Sequence, residues 1–456
     1  MKPWRGVLLV ALALLAIAAV RDLARLGDAL PWHQLYDFAD FYCAGAALDA
    51  GADPYRYEPL HRCEHRVNAS AAYRDDVGRV VPAPLPPYDF PPFVQAARLA
   101  YSSARTIQAA AIALAVVASI GGLALIGVAV DVAALALLLP AGYVLLSAGQ
   151  VVPFALVALV FCGVALAWRR DRLAGIAAGL TLIEPHLGLP VCIALLLWAP
   201  RSRLTLVATV LVLAATGALM VGISGAIEFL SRVLPAQAAA ETGYVYQYSL
   251  TYLLHALGFD SALALFAGAL SYVAMLVVGV LLGRRAAQTL GRPELTVFIP
   301  AACSVLAGSY VHMVDLPFAI PAALVLASSP QVRVRRIATV ALCLLAVPWI
   351  PVWITKKLFL ATLFIVAAIL LRLRAKAALG VATFVAIACA IYFLELAPPA
   401  PLIALTPAGI APGALAQNAW RAWVEALPEA SLTWLLVKIP TWIALVTTLY
   451  AAFIRE

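Results

Sequence analysis

The sequence has little charge and few polar stretches. Charged residues make up 12% of its 456 residues and hydrophobic residues 64%, and the mean hydropathy is +0.97. A soluble globular domain usually carries roughly twice that share of charge. Apolar runs long enough to cross a hydrocarbon core of about 30 Å recur from residue 6 to residue 453. The composition therefore excludes an ordinary soluble protein and predicts a single membrane domain over residues 1–456.

Patterns for binding metals or nucleic acids are also missing. No His or Cys spacing typical of a metal site occurs, so we predict no metal ligands and no cofactor, and we leave a divalent metal open. The net charge is +8, but no basic face interleaved with aromatic residues occurs, which argues against nucleic-acid binding. Five of the seven cysteines lie in apolar segments and should pack as small hydrophobic residues. Cys43 and Cys63 lie in a polar loop and can form a disulfide if that loop is extracytoplasmic.

Clusters of basic residues predict which helix ends face the cytoplasm. The cations lie at the ends of apolar segments, where positive residues kept inside the cell orient the helices. The clusters are at residues 169–172, 201–203, 284–285, 333–336 and 372–376. The apolar run at 6–20 is followed by charged residues and no clear cleavage site, so we predict a retained first helix. Lys356 and Lys357 fall on the outer side in this scheme and break the rule.

Polar segments divide the apolar regions. Residues 27–92, 224–258 and 395–433 are predicted to be extracytoplasmic loops. Between the first two basic clusters lie 28 residues interrupted by Glu184-Pro185-His186, too few for two crossings of roughly 20 residues each. This predicts a short or re-entrant hairpin with an outward polar tip. Residues 295–329 repeat the arrangement, with His312 and Asp315 at the tip.

The predicted polar tips and loops all fall on one side of the membrane. The helix before residue 151 also ends there, at Gln150, and Asp37 follows the first helix on the same side. Each tip alone could be a plain polar turn between helices. Together they predict a solvent-facing cavity at the outer leaflet, because ionisable groups at membrane depth are costly.

The segment Tyr36-Asp37-Phe38-Ala39-Asp40-Phe41 is the strongest local signal for chemistry. In a helix, Asp37, Asp40, Phe41 and Ala44 share one face. A carboxylate beside aromatic and small residues can be desolvated enough to act as a base. The alternative is an interfacial helix with two solvated acids.

Several short motifs resemble glycosyltransferase family 87, relatives of polyprenol-phosphate-mannose-dependent mannosyltransferases of the GT-C type. DFADFYCAGAAL followed by GADPY resembles the start of that family. Further resemblances follow in order along residues 6–330: Tyr88 to Phe93, Gly149-Gln150, the Pro185-His186 hairpin, Gln247-Tyr248-Ser249-Leu250 and the His312 tip. The family usually has Lys where this chain has Glu184, which puts the contact with the donor phosphate at that position in doubt.

The resemblance implies an all-α polytopic membrane protein with a GT-C-like bundle of about 10–14 transmembrane or re-entrant helices. It implies inverting transfer of a hexose, mannose in that family, from a polyprenyl-phosphate sugar to a lipid or glycan acceptor, at the extracytoplasmic face of a bacterial-type plasma membrane. The leaving group is already good, so one base suffices. The predicted catalytic residues are Asp37 and, second, Asp40. The predicted substrate-binding residues are Gln150, Glu184, His186, Gln247, His312 and Asp315, with His312 the candidate for the phosphate.

A transporter or flippase for a lipid-linked or anionic substrate is the alternative function. Broken helices with polar residues at membrane depth suit that class as well. A transporter should show an inverted repeat and a polar path to both faces. The sequence shows no convincing repeat, and its polar residues concentrate on one predicted side.

Overall fold

Regular structure in this protein is helical wherever its chain can be described. A computed structural model describes residues 35, 37–67, 78–138, 145, 148–351, 409–427 and 432–454. Within these ranges the only β pairing is two isolated bridges, Arg56 with Leu415 and Gln247 with His312. The helices are α1 (Phe38–Asp49), α2 (Tyr57–Val67), α3 (Phe90–Ala97), α4 (Tyr101–Leu125), α5 (Val130–Leu138), α6 (Val152–Ala167), α7 (Asp171–Leu180), α8 (Pro185–Trp198), α9 (Arg203–Glu228), α10 (Leu234–Ala240), α11 (Leu250–Ala256), α12 (Ser261–Leu290), α13 (Leu295–Leu306), α14 (Ile320–Ala327), α15 (Val332–Leu345), α16 (Ala416–Glu425), α17 (Leu432–Leu436) and α18 (Ile439–Phe453).

Four helical stretches among the described residues are long and apolar enough to cross a membrane. They are Tyr101–Leu125, Pro200–Ala240, Ser261–Leu290 and Leu432–Phe453. Large apolar side chains on α12 remain exposed, for example Phe266 at 68% and Leu270 at 60%. Exposed apolar faces of this length suit contact with lipid rather than water. The protein is therefore an all-α integral membrane protein, as composition predicted.

The core lies between shorter helices. Every residue of α14 is buried, and α6 and α13 are buried along nearly their whole lengths. These helices are apolar on all sides, which is the pattern of a helix enclosed by other helices. They carry the buried free cysteines Cys162 and Cys303, while Cys192 and Cys343 are buried in α8 and α15. The prediction that cysteines in apolar segments pack as small hydrophobic residues is confirmed for these four.

Both predicted hairpins are present as pairs of short helices. Helices α7 and α8 are joined by a single 3-10 turn at Thr181–Ile183, and Glu184 stands immediately before α8. Helix α13 is followed by an irregular stretch, a 3-10 helix at Met313–Ala319, and α14. Prolines at the start of α8 and α14 fit the first helical turn, where no backbone donor is needed. Glu184, which precedes the proline at the start of α8, is extended, because the proline ring disfavours the helical conformation in the residue before it.

Arginine side chains mark one common end of the bundle. The Arg284 guanidinium lies 4.0 Å from the ring centre of Trp198, and that of Arg285 lies 4.5 Å from Phe453. Arg292 donates to the Ile126 carbonyl at 2.9 Å. The last turns of α4, α8, α12 and α18 therefore meet at this basic end.

The first polar segment folds into helices instead of an open loop. Cys43 of α1 and Cys63 of α2 form a disulfide, so the predicted pairing is present. Gly45 permits close packing of α1 against α3, because a Cβ there would lie 2.3 Å from the Phe93 carbonyl oxygen. The late segment docks on the same region: Tyr57 N donates to Ala414 O, and Ala416 N donates to Tyr55 O.

The second predicted extracytoplasmic segment, residues 224–258, begins within a helix. Helix continues past residue 224 to Ala240, with a break at Gly222, whose φ is +74°. The apolar pattern ends near 224, but a helix can carry polar residues once it leaves the lipid. The first helix at 6–20, Tyr73, Lys356, Lys357, Cys389, the cluster at 372–376 and the loop residues 395–408 and 428–431 lie outside the described residues.

Candidate functional site

Asp37 and Gln150 meet just before α1 and α6. Gln150 Nε2 donates to Asp37 Oδ2 at 2.7 Å, and the backbone N–H of Asp37 donates to Ala148 O at 2.9 Å. Gly149 makes this approach possible, because its φ is +83° and a Cβ would lie 3.1 Å from the Phe38 backbone nitrogen. The Gly-Gln motif thus supplies both the backbone conformation and the amide donor that fix the carboxylate.

The first hairpin tip presents an acid and an imidazole. His186 Nδ1 lies 3.6 Å from Glu184 Oε2, and the carbonyl of His186 accepts from the Tyr272 hydroxyl at 2.7 Å. Glu184 is 16% exposed and His186 25% exposed in their side chains. The two side chains of this tip therefore lie close to each other.

The second hairpin tip contacts the first. His186 Nε2 lies 3.3 Å from Asp315 Oδ2, and the same oxygen accepts the backbone N–H of His312 at 2.6 Å. The Tyr310 ring lies between the imidazoles, 5.7 Å from His186 and 4.7 Å from His312, measured between ring centres. The two predicted tips thus form one continuous cluster.

Glu241 joins this cluster from the segment after α10. Its Oε1 accepts from Trp420 Nε1 at 2.6 Å and Gln237 Nε2 at 3.1 Å. Its Oε2 lies 3.3 Å from His312 Nε2 and accepts from Gln247 Nε2 at 3.4 Å. A carboxylate that is only 4% exposed is thereby surrounded by groups from three parts of the chain.

Gln247 ties the segment after α10 to the second tip. Its Oε1 accepts the Val311 N–H at 2.8 Å, and Tyr248 N donates to Val311 O at 2.7 Å. The carbonyl of Gln247 accepts from Lys438 Nζ at 2.6 Å, and that ammonium lies 3.2 Å from the ring centre of Tyr252. Lys438 is fully buried, so this contact anchors the segment to the last helical stretch.

Burial and charge set the proton affinity of Asp37. Asp37 lies outside the four candidate spans. Burial raises its pKa to about 6, against the lowering effects of Gln150, His312 and Arg79, while Glu241 adds to the rise. A carboxyl group with a pKa near 6 is ionised at neutral pH and still basic enough to accept a proton.

The acids and imidazoles of the tips shift one another's pKa values. Burial lowers the pKa of His186, but Asp315 and Glu184 outweigh it and the net shift is upward. The pKa of His312 is raised in the same way, because Glu241, Asp315 and Asp37 outweigh burial. Burial raises the pKa of Glu184, and His186 opposes that rise. Asp89, whose Oδ2 is enclosed without a hydrogen-bond partner, has its pKa raised by burial and by Glu184.

Asp40 has a different environment from Asp37. It lies on α1 with 1% exposure, close to the Tyr101 hydroxyl, and it is absent from the charges that act on Asp37. Asp37 is the residue before α1; it has right-handed helical φ and ψ values, and its carboxylate accepts from Gln150.

Several aromatic side chains of the polar segments are largely enclosed. Tyr55 is 4% exposed, Tyr57 9%, Trp420 4% and Trp423 3%. Trp420 and Trp423 stack on each other at 4.7 Å, and the Arg79 guanidinium lies 4.3 Å from the Trp423 ring centre. These rings form a wall behind Glu241, with their faces packed against protein.

Three residues of the site escape sequence reasoning: Glu241, Arg79 and Lys438. The available signal was that an acid between α10 and α11, and a lysine inside an apolar stretch, are costly unless paired. No spacing rule links residues 79, 241 and 438, so only the folded chain brings them near the tips.

The arrangement can exchange protons, and the positive groups beside Asp37 can hold an anion. Among the described ranges no group of three or more His, Cys, Asp or Glu side chains is placed to hold a metal ion. Asp37 is the carboxylate placed next to both an imidazole and a guanidinium. Comparisons of this chain with protein-family models, with curated proteins and with solved structures give no match.

Proposed function

We propose that the protein is a membrane glycosyltransferase that uses a polyprenyl-phosphate sugar as donor. The observation that carries the proposal is Asp37: a carboxyl group outside the candidate spans, bonded to Gln150, with a pKa near 6 and positive groups beside it. This is the environment that a general base for a hydroxyl nucleophile requires. The resemblance of the motifs around Asp37, Gln150, His186 and His312 to glycosyltransferase family 87 supports the same assignment.

In this reaction the acceptor hydroxyl attacks the anomeric carbon of the donor sugar. The new C–O bond forms as the bond from that carbon to the phosphate oxygen breaks, and polyprenyl phosphate leaves with the electron pair. Asp37 takes the hydroxyl proton, and attack from the face opposite the phosphate inverts the anomeric centre. No general acid is needed, because a phosphate is a good leaving group without protonation.

The donor phosphate needs positive charge near Asp37. Arg79 and His312 are the groups whose positive charge acts on Asp37, and we assign them to this role. A planar guanidinium suits phosphate because it offers paired donors. Glu184 is turned to His186, so its carboxylate is held away from a phosphate bound at Arg79.

The finer architecture follows from the same proposal. It comprises a GT-C-like bundle of about 10–14 transmembrane or re-entrant helices in a bacterial-type plasma membrane, with the Asp37 cluster on the extracytoplasmic face. The separation of the Arg284 and Arg285 end from the Asp37 cluster supports this orientation, because cytoplasmic ends carry the excess of basic residues. The Cys43–Cys63 disulfide supports it too, since disulfides persist in oxidising compartments.

The test is transfer by the purified full-length protein in lipid nanodiscs. A polyprenyl-phosphate mannose with a radiolabelled sugar is the probe, and release of polyprenyl phosphate is measured with a membrane-lipid extract as acceptor. We expect release in the wild type and a fall in release of about 10²-fold or more in Asp37→Asn. Asp49→Asn should release polyprenyl phosphate as fast as the wild type. Asp49 is the matched control, since it lies on α1 but pairs with Arg98 at the surface.

The same probe separates the enzyme from the flippase. A transporter would move a fluorescent polyprenyl-phosphate sugar between the leaflets of a liposome without breaking its phosphate bond. Movement of intact probe with no polyprenyl phosphate released under any acceptor condition would contradict the proposal.

A further inference from the structure

Glu241 is the residue through which the imidazole nearest to Asp37 is held. Its Oε2 lies 3.3 Å from His312 Nε2, while its other oxygen is occupied by Trp420 and Gln237. The carboxylate therefore cannot rotate away from the imidazole without losing two hydrogen bonds. Its burial at 4% exposure leaves little room for solvent to replace them.

The opposite edge of the His312 ring is also constrained. The ring side chain accepts from the backbone N–H of Asp315, while the Asp315 carboxylate accepts the backbone N–H of His312. Asp315 N also bonds the His312 carbonyl at 3.0 Å, so this N–H keeps a partner when the ring takes a second proton. The Nε2 edge of the ring faces the Glu241 carboxylate at 3.3 Å.

We propose that Glu241 is a positioning residue whose carboxylate lies at ion-pair distance from His312 Nε2 and stabilises the imidazolium beside Asp37. This inference rests on the proposed transfer reaction, in which the positive charge of His312 acts near the donor phosphate and Asp37 takes the proton. In this proposal Glu241 contacts neither the donor phosphate nor the attacking hydroxyl. It acts through His312, in the way that a carboxylate orients an imidazole in other acid–base sites.

The charges around His312 favour this assignment to Glu241. Those that act on the imidazole are Glu241 from the segment after α10, Asp315 from its own tip and Asp37 from the start of α1. From the first tip, His186 and Glu184 face it as well, and Arg79 acts on the neighbouring Asp37. Asp315 and Glu184 both form ion pairs with His186. Glu241 forms its ion pair with His312 instead.

The direct test is histidine NMR on the full-length protein in detergent micelles, with ring-labelled histidine. The chain has six histidines, and the His312 signal is identified by its loss in His312→Gln. We expect the His312 pKa to fall by about one to three units in Glu241→Gln and to stay near the wild-type value in Glu241→Asp, which keeps the charge. Glu294→Gln is the matched control, because Glu294 is also buried and paired, but with Arg292 at the basic end.

An unchanged His312 pKa in Glu241→Gln would overturn the proposal, and so would an equal change in Glu294→Gln. If Glu241→Gln does not give a cooperative melt, Glu241→Asp decides: a fall in the His312 pKa as large as one unit would also overturn it. These outcomes do not depend on activity. The failure of the proposed function would show separately, as absence of transfer by the wild-type protein.

The kinetic consequence gives a second readout. His312 lowers the pKa of Asp37 more than Glu241 raises it, so a neutral His312 should leave Asp37 harder to ionise. The acid limb of kcat/KM should then move to higher pH in Glu241→Gln and remain in place in Glu294→Gln. A loss of activity with no movement of this limb would assign Glu241 a purely structural role and overturn the proposal.

Discussion

The two ends of helix α13 each carry a buried acid, and the acids are held in different ways. Before the helix, Glu294 is 1% exposed and forms an ion pair with Arg292. After the helix, Asp315 faces His186. Glu241, from the segment after α10, faces His312 at the same end. Arginine keeps its charge at every accessible pH, whereas imidazole changes charge near neutrality. The pairing at Glu294 can only be structural, while the cluster at the other end can exchange protons.

The largest expected effect would break this comparison outright. Asp37→Asn keeps the shape of the side chain but cannot take a proton, so turnover should fall at least about 10²-fold while the protein still folds. Glu294→Gln should leave turnover intact and lower the free energy of unfolding by about 3 kcal/mol, because it leaves Arg292 unpaired. Turnover with the labelled donor and thermal unfolding measure the two effects.

Asp40→Asn extends the same comparison along α1. Asp40 lies outside the cluster with its side chain buried, so we expect a smaller loss of turnover than in Asp37→Asn. If the two substitutions exchanged their effects, Asp40 would be the base. If neither changed turnover, the enzyme hypothesis would fail.

The pH dependence sharpens the contrast between titratable and permanent pairing. With a pKa of about 6 for Asp37, kcat/KM should fall roughly tenfold per unit below pH 6 and level off above it. The pH dependence of folding stability has the opposite sign. Because the pKa of Asp37 is raised in the folded state, its protonated form stabilises the fold, and this contribution is lost as pH rises through about 6.

The melting temperature of Asp37→Asn relative to wild type should therefore be higher at pH 8 than at pH 5. Glu294→Gln should not change the position of the acid limb of kcat/KM. A wild-type profile that stays flat down to pH 4 would exclude Asp37 as the titrating base.

A smaller effect is expected from the backbone that brings Gln150 to Asp37. Gly149 and Gly127 have similar φ values, +83° and +85°, but only at Gly149 would a Cβ meet close neighbours, whereas nothing lies within 4 Å at Gly127. Alanine at either position should cost about 1–2 kcal/mol from the left-handed conformation. Only Gly149→Ala should also reduce turnover, by about tenfold, because it displaces the Gln150 amide.

Equal stability losses with equal turnover in the two glycine variants would show that the position of Gln150 does not matter. Thermal unfolding and turnover of both variants at one pH are sufficient to decide this.

The smallest effect is predicted at Glu184. Its carboxylate faces His186 and not the proposed phosphate site, so Glu184→Lys should leave donor affinity equal or improved. Two anions within about 4 Å at an effective dielectric near 20 would repel by several kcal/mol, so a direct contact with phosphate is unfavourable. Donor binding to the folded variant measures this, and a loss greater than about tenfold would give Glu184 a positive role in binding.

Much of the architecture could be read from local chemistry. Hydrophobic length predicted the helical membrane fold, and the short spacing around Glu184-Pro185-His186 predicted a hairpin, because a polar break with proline cannot continue a buried helix. The same logic found the His312 and Asp315 tip. The two tips meet through His186 and Asp315.

Side-chain direction was not available from the same signals. Helical periodicity predicted a shared face for Asp37 and Asp40, but no local signal predicted that Gln150, 113 residues away along the chain, donates to Asp37. The packing of Trp420 and Trp423 shows the same limit, since the two rings stack on each other and Arg79 lies over Trp423. Local propensity does not report which of several neighbours a side chain will choose.

The sequence by itself determined the class of protein, the positions of the short hairpins and the residues at their tips, because hydrophobic length and proline act over a few neighbouring residues. Only the tertiary structure decided that Glu241, Arg79 and Lys438 join those tips. Glu241 Oε2 faces His312, the Arg79 guanidinium lies over the Trp423 ring, and Lys438 Nζ donates to the Gln247 carbonyl. These contacts span separations of 71, 344 and 191 residues (312 − 241, 423 − 79 and 438 − 247), and at such distances along the chain only the packing of the helices determines which charges meet.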